Sequence, residues 1–181
     1  GWPVRRWLVR DTGYGLLADA VLGAGLLMLA DWLLLWAGGL GPVTAWGIAV
    51  IGWGLLVARV VMARRRGEPE VGRFTPSWWL LIAMPAAALL VGAATLAPGA
   101  VWASEFGGYD VLSYHLQLPK EWLARGGMLP TPHNVYGYMP NFVEAAYTHL
   151  AVWRGGAVEA ALSAQMLHAT FTILAAAAIG A

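Results

Sequence analysis

Long apolar runs alternate with short polar ones along this chain. Four windows approach or reach the roughly 20 mostly apolar residues that a helix needs to cross a bilayer. They are 16–37 (LLADAVLGAGLLMLADWLLLWA), 43–63 (VTAWGIAVIGWGLLVARVVMA), 78–97 (WWLLIAMPAAALLVGAATLA) and 157–181 (AVEAALSAQMLHATFTILAAAAIGA). GGLGP between the first two leaves room only for a tight turn, so they form a hairpin over 16–63. Segment 1–15 precedes it, and a basic loop over 64–77 links it to the third window. No short apolar core followed by a cleavage-type tripeptide marks a signal peptide.

Between the third and fourth windows the pattern changes. Over 98–156, Val111, Leu112, Tyr114, Leu116 and Leu118 supply apolar surface for a short helix beginning near Asp110. Pro119 interrupts it, and PKEWLARGG predicts a second helix with Pro at its first position and Gly126–Gly127 as its stop. MLPTPHNVYGYMP carries three prolines and is expected to be extended or turned. NFVEAAYTHLAVW, 141–153, predicts a third helix, too short to span and suited to the membrane surface. The expected fold is therefore all-α and integral to the membrane: about four transmembrane helices, with a loop of short amphipathic juxtamembrane helices on the outer face.

Composition agrees. The chain has 181 residues, 59% apolar and 12% charged, against about 25% charged in a soluble domain. A net charge of +1 makes no case for nucleic acid. With no cysteine, disulfides and thiolate metal sites are excluded. Arg5, Arg6 and Arg10 precede the first window, and Arg59, Arg64, Arg65, Arg66 and Arg73 cluster around the link to the third. The long loop holds only Lys120, Arg125 and Arg154. Basic segments stay cytoplasmic, so the N-terminus is expected inside and 98–156 outside. Trp7, Trp32, Trp36, Trp46, Trp78, Trp79 and Trp102 lie near window ends, as headgroup-level anchors do. Ala20/Ala24, Ala83/Ala87 and Ala160/Ala164 repeat at the spacing that lets helices approach closely.

Residues 100–150 hold a more specific pattern: YDVLSYHLQLPKEWLARGG, then the Pro-rich PHNVYGYMP, then NFVEAAY. This arrangement resembles the first outer loop of GT-C superfamily membrane glycosyltransferases, in particular bacterial relatives of the protein O-mannosyltransferases and aminoarabinose transferases. The resemblance implies a bacterial inner-membrane enzyme that takes a sugar from a polyprenyl-phosphate donor on the periplasmic side. It carries the family's catalytic acidic residue onto Asp110, with Glu105 as second candidate. It makes Tyr114, His115, His133, Tyr136, Tyr138 and Glu144 substrate-contacting or rim residues, with Lys120 and Arg125 as nearby cations for the phosphate. A divalent ion held by Asp110 with Glu105 or His115 fits the same chemistry. The family has more spans than four and its acidic loop follows the first span. An extra N-terminal hairpin here, and a chain that is the N-terminal portion of a longer one, would account for both departures.

Each of these residues also has a plainer reading. Asp is a favoured N-cap, so Asp110 would cap the helix it begins. His115 would be an interfacial hydrogen-bonding residue and Glu144 part of a solvated face. His133 and His149 are isolated in sequence, and no His pair shows the spacing of a helical zinc site. Asp19 and Asp31 lie in the first window near its ends, where snorkelling or helix-pair contacts are expected. His168, in the middle of the fourth window, suits a haem or pigment ligand or a hydrogen bond to a neighbouring helix. The competing function is a non-catalytic subunit of a larger photosynthetic or respiratory membrane complex, its spans packed on partner subunits.

Overall fold

The computed structural model describes residues 3–5, 15–66, 80–100 and 108–179. Six α-helices organise them: α1 (Gly15–Trp36), α2 (Pro42–Arg66), α3 (Leu80–Thr95), α4 (Gln117–Arg125), α5 (Phe142–Arg154) and α6 (Ala161–Ile179). A π turn (Val111–His115) leads into α4, and a 3-10 turn (Val135–Tyr138) lies between α4 and α5. No strand occurs among the described residues. Three helices (α1, α2 and α6) are long and apolar enough to cross a membrane. The 16 described residues of α3 form a shorter apolar helix with Pro85 inside it, and Trp78 and Trp79 lie outside the described residues. The fourth window begins its helix at Ala161, because 157–160 close a turn after Gly155, whose φ of 84° suits glycine alone.

The α1–α2 turn is stapled locally. Gly38 takes a φ of 68°, Pro42 occupies the first position of α2, and Thr44 accepts the Gly41 N–H at 2.9 Å while its hydroxyl donates to the Gly39 carbonyl at 2.7 Å. The long loop folds back onto this turn. Met128 N–H donates to the Leu35 carbonyl at 2.9 Å, and Gly127 lies so close that a Cβ there would meet Leu35 O at 3.1 Å and Gly38 Cα at 3.2 Å. Fully buried Leu118 and Trp122 of α4 pack with Leu35 and Ala145, each burial contributing about 1.5–3 kcal/mol. Pro119 thus stands at the third position of α4 rather than its first: the helix starts at Gln117, and Lys120 N–H already bonds the Leu116 carbonyl at 3.1 Å. Pro119 needs no intrahelical partner there, since the first four N–H groups have none. Gly126 closes α4 at φ 75°, as its stop signal predicted.

α5 lies across the hairpin tip and is held at both ends by aromatic pairs. Phe142 meets Trp32 of α1 with ring centroids 5.5 Å apart, and Trp153 meets Trp46 of α2 at 5.2 Å. α6 packs on α1 and α3, and Gln165 of α6 donates to the Ala94 and Leu96 carbonyls at 3.3 and 3.1 Å, completing the end of α3. Of the small-residue pairs, Ala160 and Ala164 are buried, whereas Ala20 and Ala83 are exposed. The hairpin turn, the end of α3, the platform 108–156 and the start of α6 therefore share one end of the bundle. Near the other end, Asp19 of α1 pairs with Arg5 at 2.7 Å and with Arg59 of α2 at 3.5 Å. Asp19 makes helix-pair contacts.

Candidate functional site

The platform is built around the π turn. Its defining bond runs from Leu116 N–H to the Val111 carbonyl at 2.9 Å, five residues back. Such a turn widens the helix, and the residues four and five positions along, Tyr114 and His115, follow Asp110 around it. Asp110 has helical backbone angles, and its carboxylate makes no capping hydrogen bond. It is exposed, and among the described residues no side chain bonds or pairs with it. Capping is therefore not what occupies this carboxylate. Tyr114 stacks on Tyr136 at 4.3 Å and leans on His115 at 4.1 Å. His115 in turn meets Tyr147 edge-on at 6.2 Å. Partial burial, with the charges of Asp110 and Glu144 nearby, pushes the Tyr114 hydroxyl above the ordinary tyrosine value, so it stays a donor.

Glu144 overturns its solvated-face expectation. It is 6% exposed and its Oε1 lies 2.7 Å from His115 Nδ1. The reason is helical geometry: Glu144, Thr148 and Ala151 share the inner face of α5, and that face closes on the π turn and α4. One turn further, Tyr147 reaches His168 of α6, its hydroxyl 2.8 Å from Nδ1. Burial, reinforced by Glu144, holds the Tyr147 hydroxyl protonated far above the ordinary range, so it meets His168 as a neutral phenol. His168 thus bonds a neighbouring helix and is otherwise exposed on α6.

A second knot holds the crossover. Glu121 accepts from Gln117 at 2.6 Å, bonds His133 Nε2 at 2.9 Å and faces Arg125 at 3.5 Å. Burial opposes its charge, but bonds to His133 and Gln117 and the charges of His133 and Arg125 outweigh it, leaving Glu121 below the usual carboxylate value. Arg125 also donates to the Pro130 carbonyl at 3.1 Å. His133 and Arg125 are thereby committed to shaping the loop, while Lys120 and Tyr138 remain exposed. Three residues that carry no charge complete the crossover. Asn134 donates to the Ser113 carbonyl at 2.7 Å, Asn141 donates to the Tyr136 and Met139 carbonyls at 2.9 and 2.8 Å, and Thr131 donates to the Asn134 carbonyl at 3.1 Å. Their only sequence signal was position, polar side chains among prolines where backbone groups lack helical partners.

Asp31 and His149 form the deepest polar contact. Asp31 Oδ1 and His149 Nδ1 are 2.7 Å apart, with side chains 0% and 5% exposed. Asp31 therefore contacts a second helix and does not snorkel, and His149, isolated in sequence, is paired in space. Glu105 lies outside the described residues, and among those described no three His, Asp or Glu side chains gather in a metal-binding group. No protein-family model, curated protein or solved structure matches this chain.

Proposed function

We propose that this chain is a GT-C-like membrane glycosyltransferase, or a portion of one, acting at the outer face of a bacterial inner membrane with its N-terminus cytoplasmic and 98–156 periplasmic. The observation that carries the proposal is Asp110: an exposed carboxylate, free of capping and ion pairing among the described residues, beside the aromatic row Tyr136, Tyr114, His115 and Tyr147. The platform sits at the tryptophan-lined end of the hairpin, the level at which a polyprenyl-linked sugar presents its scissile bond. An acceptor hydroxyl attacks the anomeric carbon and loses its proton to the Asp110 carboxylate. The bond from that carbon to the phosphate oxygen breaks, and polyprenyl phosphate leaves with the electron pair. Lys120, exposed on the first turns of α4, is the loop cation available to the phosphate. Aromatic faces offer a flat apolar surface to the sugar ring.

Membranes containing the full chain, supplied with a labelled polyprenyl-phosphate hexose, test this by release of label into non-lipid product. Asp110→Asn is expected to lower transfer by about 10²–10⁴-fold with insertion unchanged. Wild-type transfer by that variant would overturn the role of Asp110. The subunit reading is favoured by α2, whose Val43, Trp46, Val50 and Trp53 are 61–86% exposed. Recovery in mild detergent of a stoichiometric complex with other membrane chains, and no transfer, would establish that reading instead.

A further inference from the structure

All four histidines of the chain are engaged through one ring nitrogen, three by carboxylates and one by a phenol. They differ in what the other nitrogen faces. His149 is sealed at 5% exposure, its Nε2 buried without a partner. His133 gives its Nε2 to Glu121 and serves the loop clamp. His168 receives a tyrosine hydroxyl, not a carboxylate. His115 combines three properties that none of the others does. A buried carboxylate holds its Nδ1 at 2.7 Å, its ring is 28% exposed, and no residue bonds its Nε2 among the described residues. It also belongs to the π turn that follows Asp110.

As a carboxylate, Glu144 only accepts hydrogen bonds, so the neutral His115 ring must carry its proton on Nδ1. That leaves the Nε2 lone pair open on the exposed side. A carboxylate that fixes an imidazole tautomer in this way also stabilises the imidazolium formed when Nε2 takes a proton. Tyr147, the other buried group touching this ring, has its hydroxyl against His168 Nδ1 and not against Glu144.

We propose that His115, positioned by Glu144, is a proton-relay residue of the Asp110 site, receiving at Nε2 the proton that Asp110 draws from the acceptor hydroxyl. The inference rests on the transferase reading for its substrate. The step balances: the acceptor O–H breaks as its oxygen bonds the anomeric carbon, the proton passes from the Asp110 carboxyl to Nε2, and the leaving phosphate keeps the electron pair of the broken C–O bond. Asp110 returns to its ionised form, and imidazolium releases the proton to water. Glu144 is a positioning residue, since it acts only through His115.

The test has two independent readouts on the full chain in lipid nanodiscs. Two-bond proton–nitrogen spectra of 15N-histidine-labelled protein, assigned with His115→Gln, report the tautomer. Wild type and Asp110→Asn are expected to hold His115 protonated on Nδ1, and Glu144→Leu, which has no acceptor, to lose that preference. A wild-type ring protonated on Nε2, or a tautomer unmoved in Glu144→Leu, overturns the dyad. In the transfer assay, His115→Gln and Glu144→Gln are expected to lower kcat by about 10²-fold with KM unchanged. Unchanged kcat in His115→Gln overturns the relay even where the tautomer is as expected. Absence of transfer by wild type overturns the transferase reading and with it the catalytic use of His115, while the tautomer result still decides whether the dyad exists.

Discussion

At the scale of single residues, the carboxylates in this chain have divided fates set by what each meets. Asp31 stands in an apolar helix, where an unpaired buried carboxylate costs several kcal/mol, and His149 supplies its partner at 2.7 Å. Removing one side of such a contact leaves the other buried and alone. Asp31→Ala or His149→Ala is expected to destabilise the folded protein by about 3–5 kcal/mol, read as a lower unfolding midpoint in detergent. Replacing both with apolar residues, Asp31→Leu with His149→Leu, should recover most of that loss. A double variant as unstable as the singles would contradict the account. Asp110, in contrast, spends its charge on no cap and no ion pair among the described residues, and that freedom is what makes it the reactive candidate.

At the scale of elements, the crossover between α4 and α5 owes its course to side chains more than to its prolines. Glu121 is the hub, and its lowered pKa means that the folded state favours the charged form. The stability it contributes is present above its unfolded value of about 4.3 and is lost as pH falls through the lower folded value. Pepsin cleavage within 126–140 is therefore expected to rise as pH drops below about 4. Glu121→Gln should be cleaved readily across the whole acidic range, with the pH step gone. Equal cleavage of wild type and variant at every pH would remove Glu121 from this role. The helices at either side were legible in sequence, because glycine stops and apolar spacing are local signals: Gly126 and Gly155 end α4 and α5 as expected. The π turn was not legible, since nothing in VLSYH distinguishes a five-residue hydrogen bond from a four-residue one.

At the scale of the whole molecule, the platform and the hairpin turn are fastened into one end by Met128, Gly127 and two aromatic pairs. Charge asymmetry predicts that this end faces outward. The chain has no cysteine, so single exposed cysteines can report sidedness. In intact cells, Ala124→Cys is expected to react with a membrane-impermeant maleimide, and Arg65→Cys to react only after permeabilisation. The reverse pattern would invert the topology and remove the outer-face donor from the functional reading.

Hydrophobic periodicity and turn residues determined the all-helical character, the apolar helices and the short helices between the third and fourth windows, because each depends on neighbours within a few residues. The candidate site was legible only in part. Asp110, Tyr114 and His115 stand together in sequence, but Glu144 reads as solvated until α5 turns its inner face to the π turn. Asp31 and His149 are 118 positions apart, and no local pattern pairs them. Which nitrogen of His115 is held, which carboxylate is buried and which is left open are decided by packing between elements. The tertiary structure alone decides which of the polar residues are paired and which stay open, because that pairing joins segments far apart in sequence.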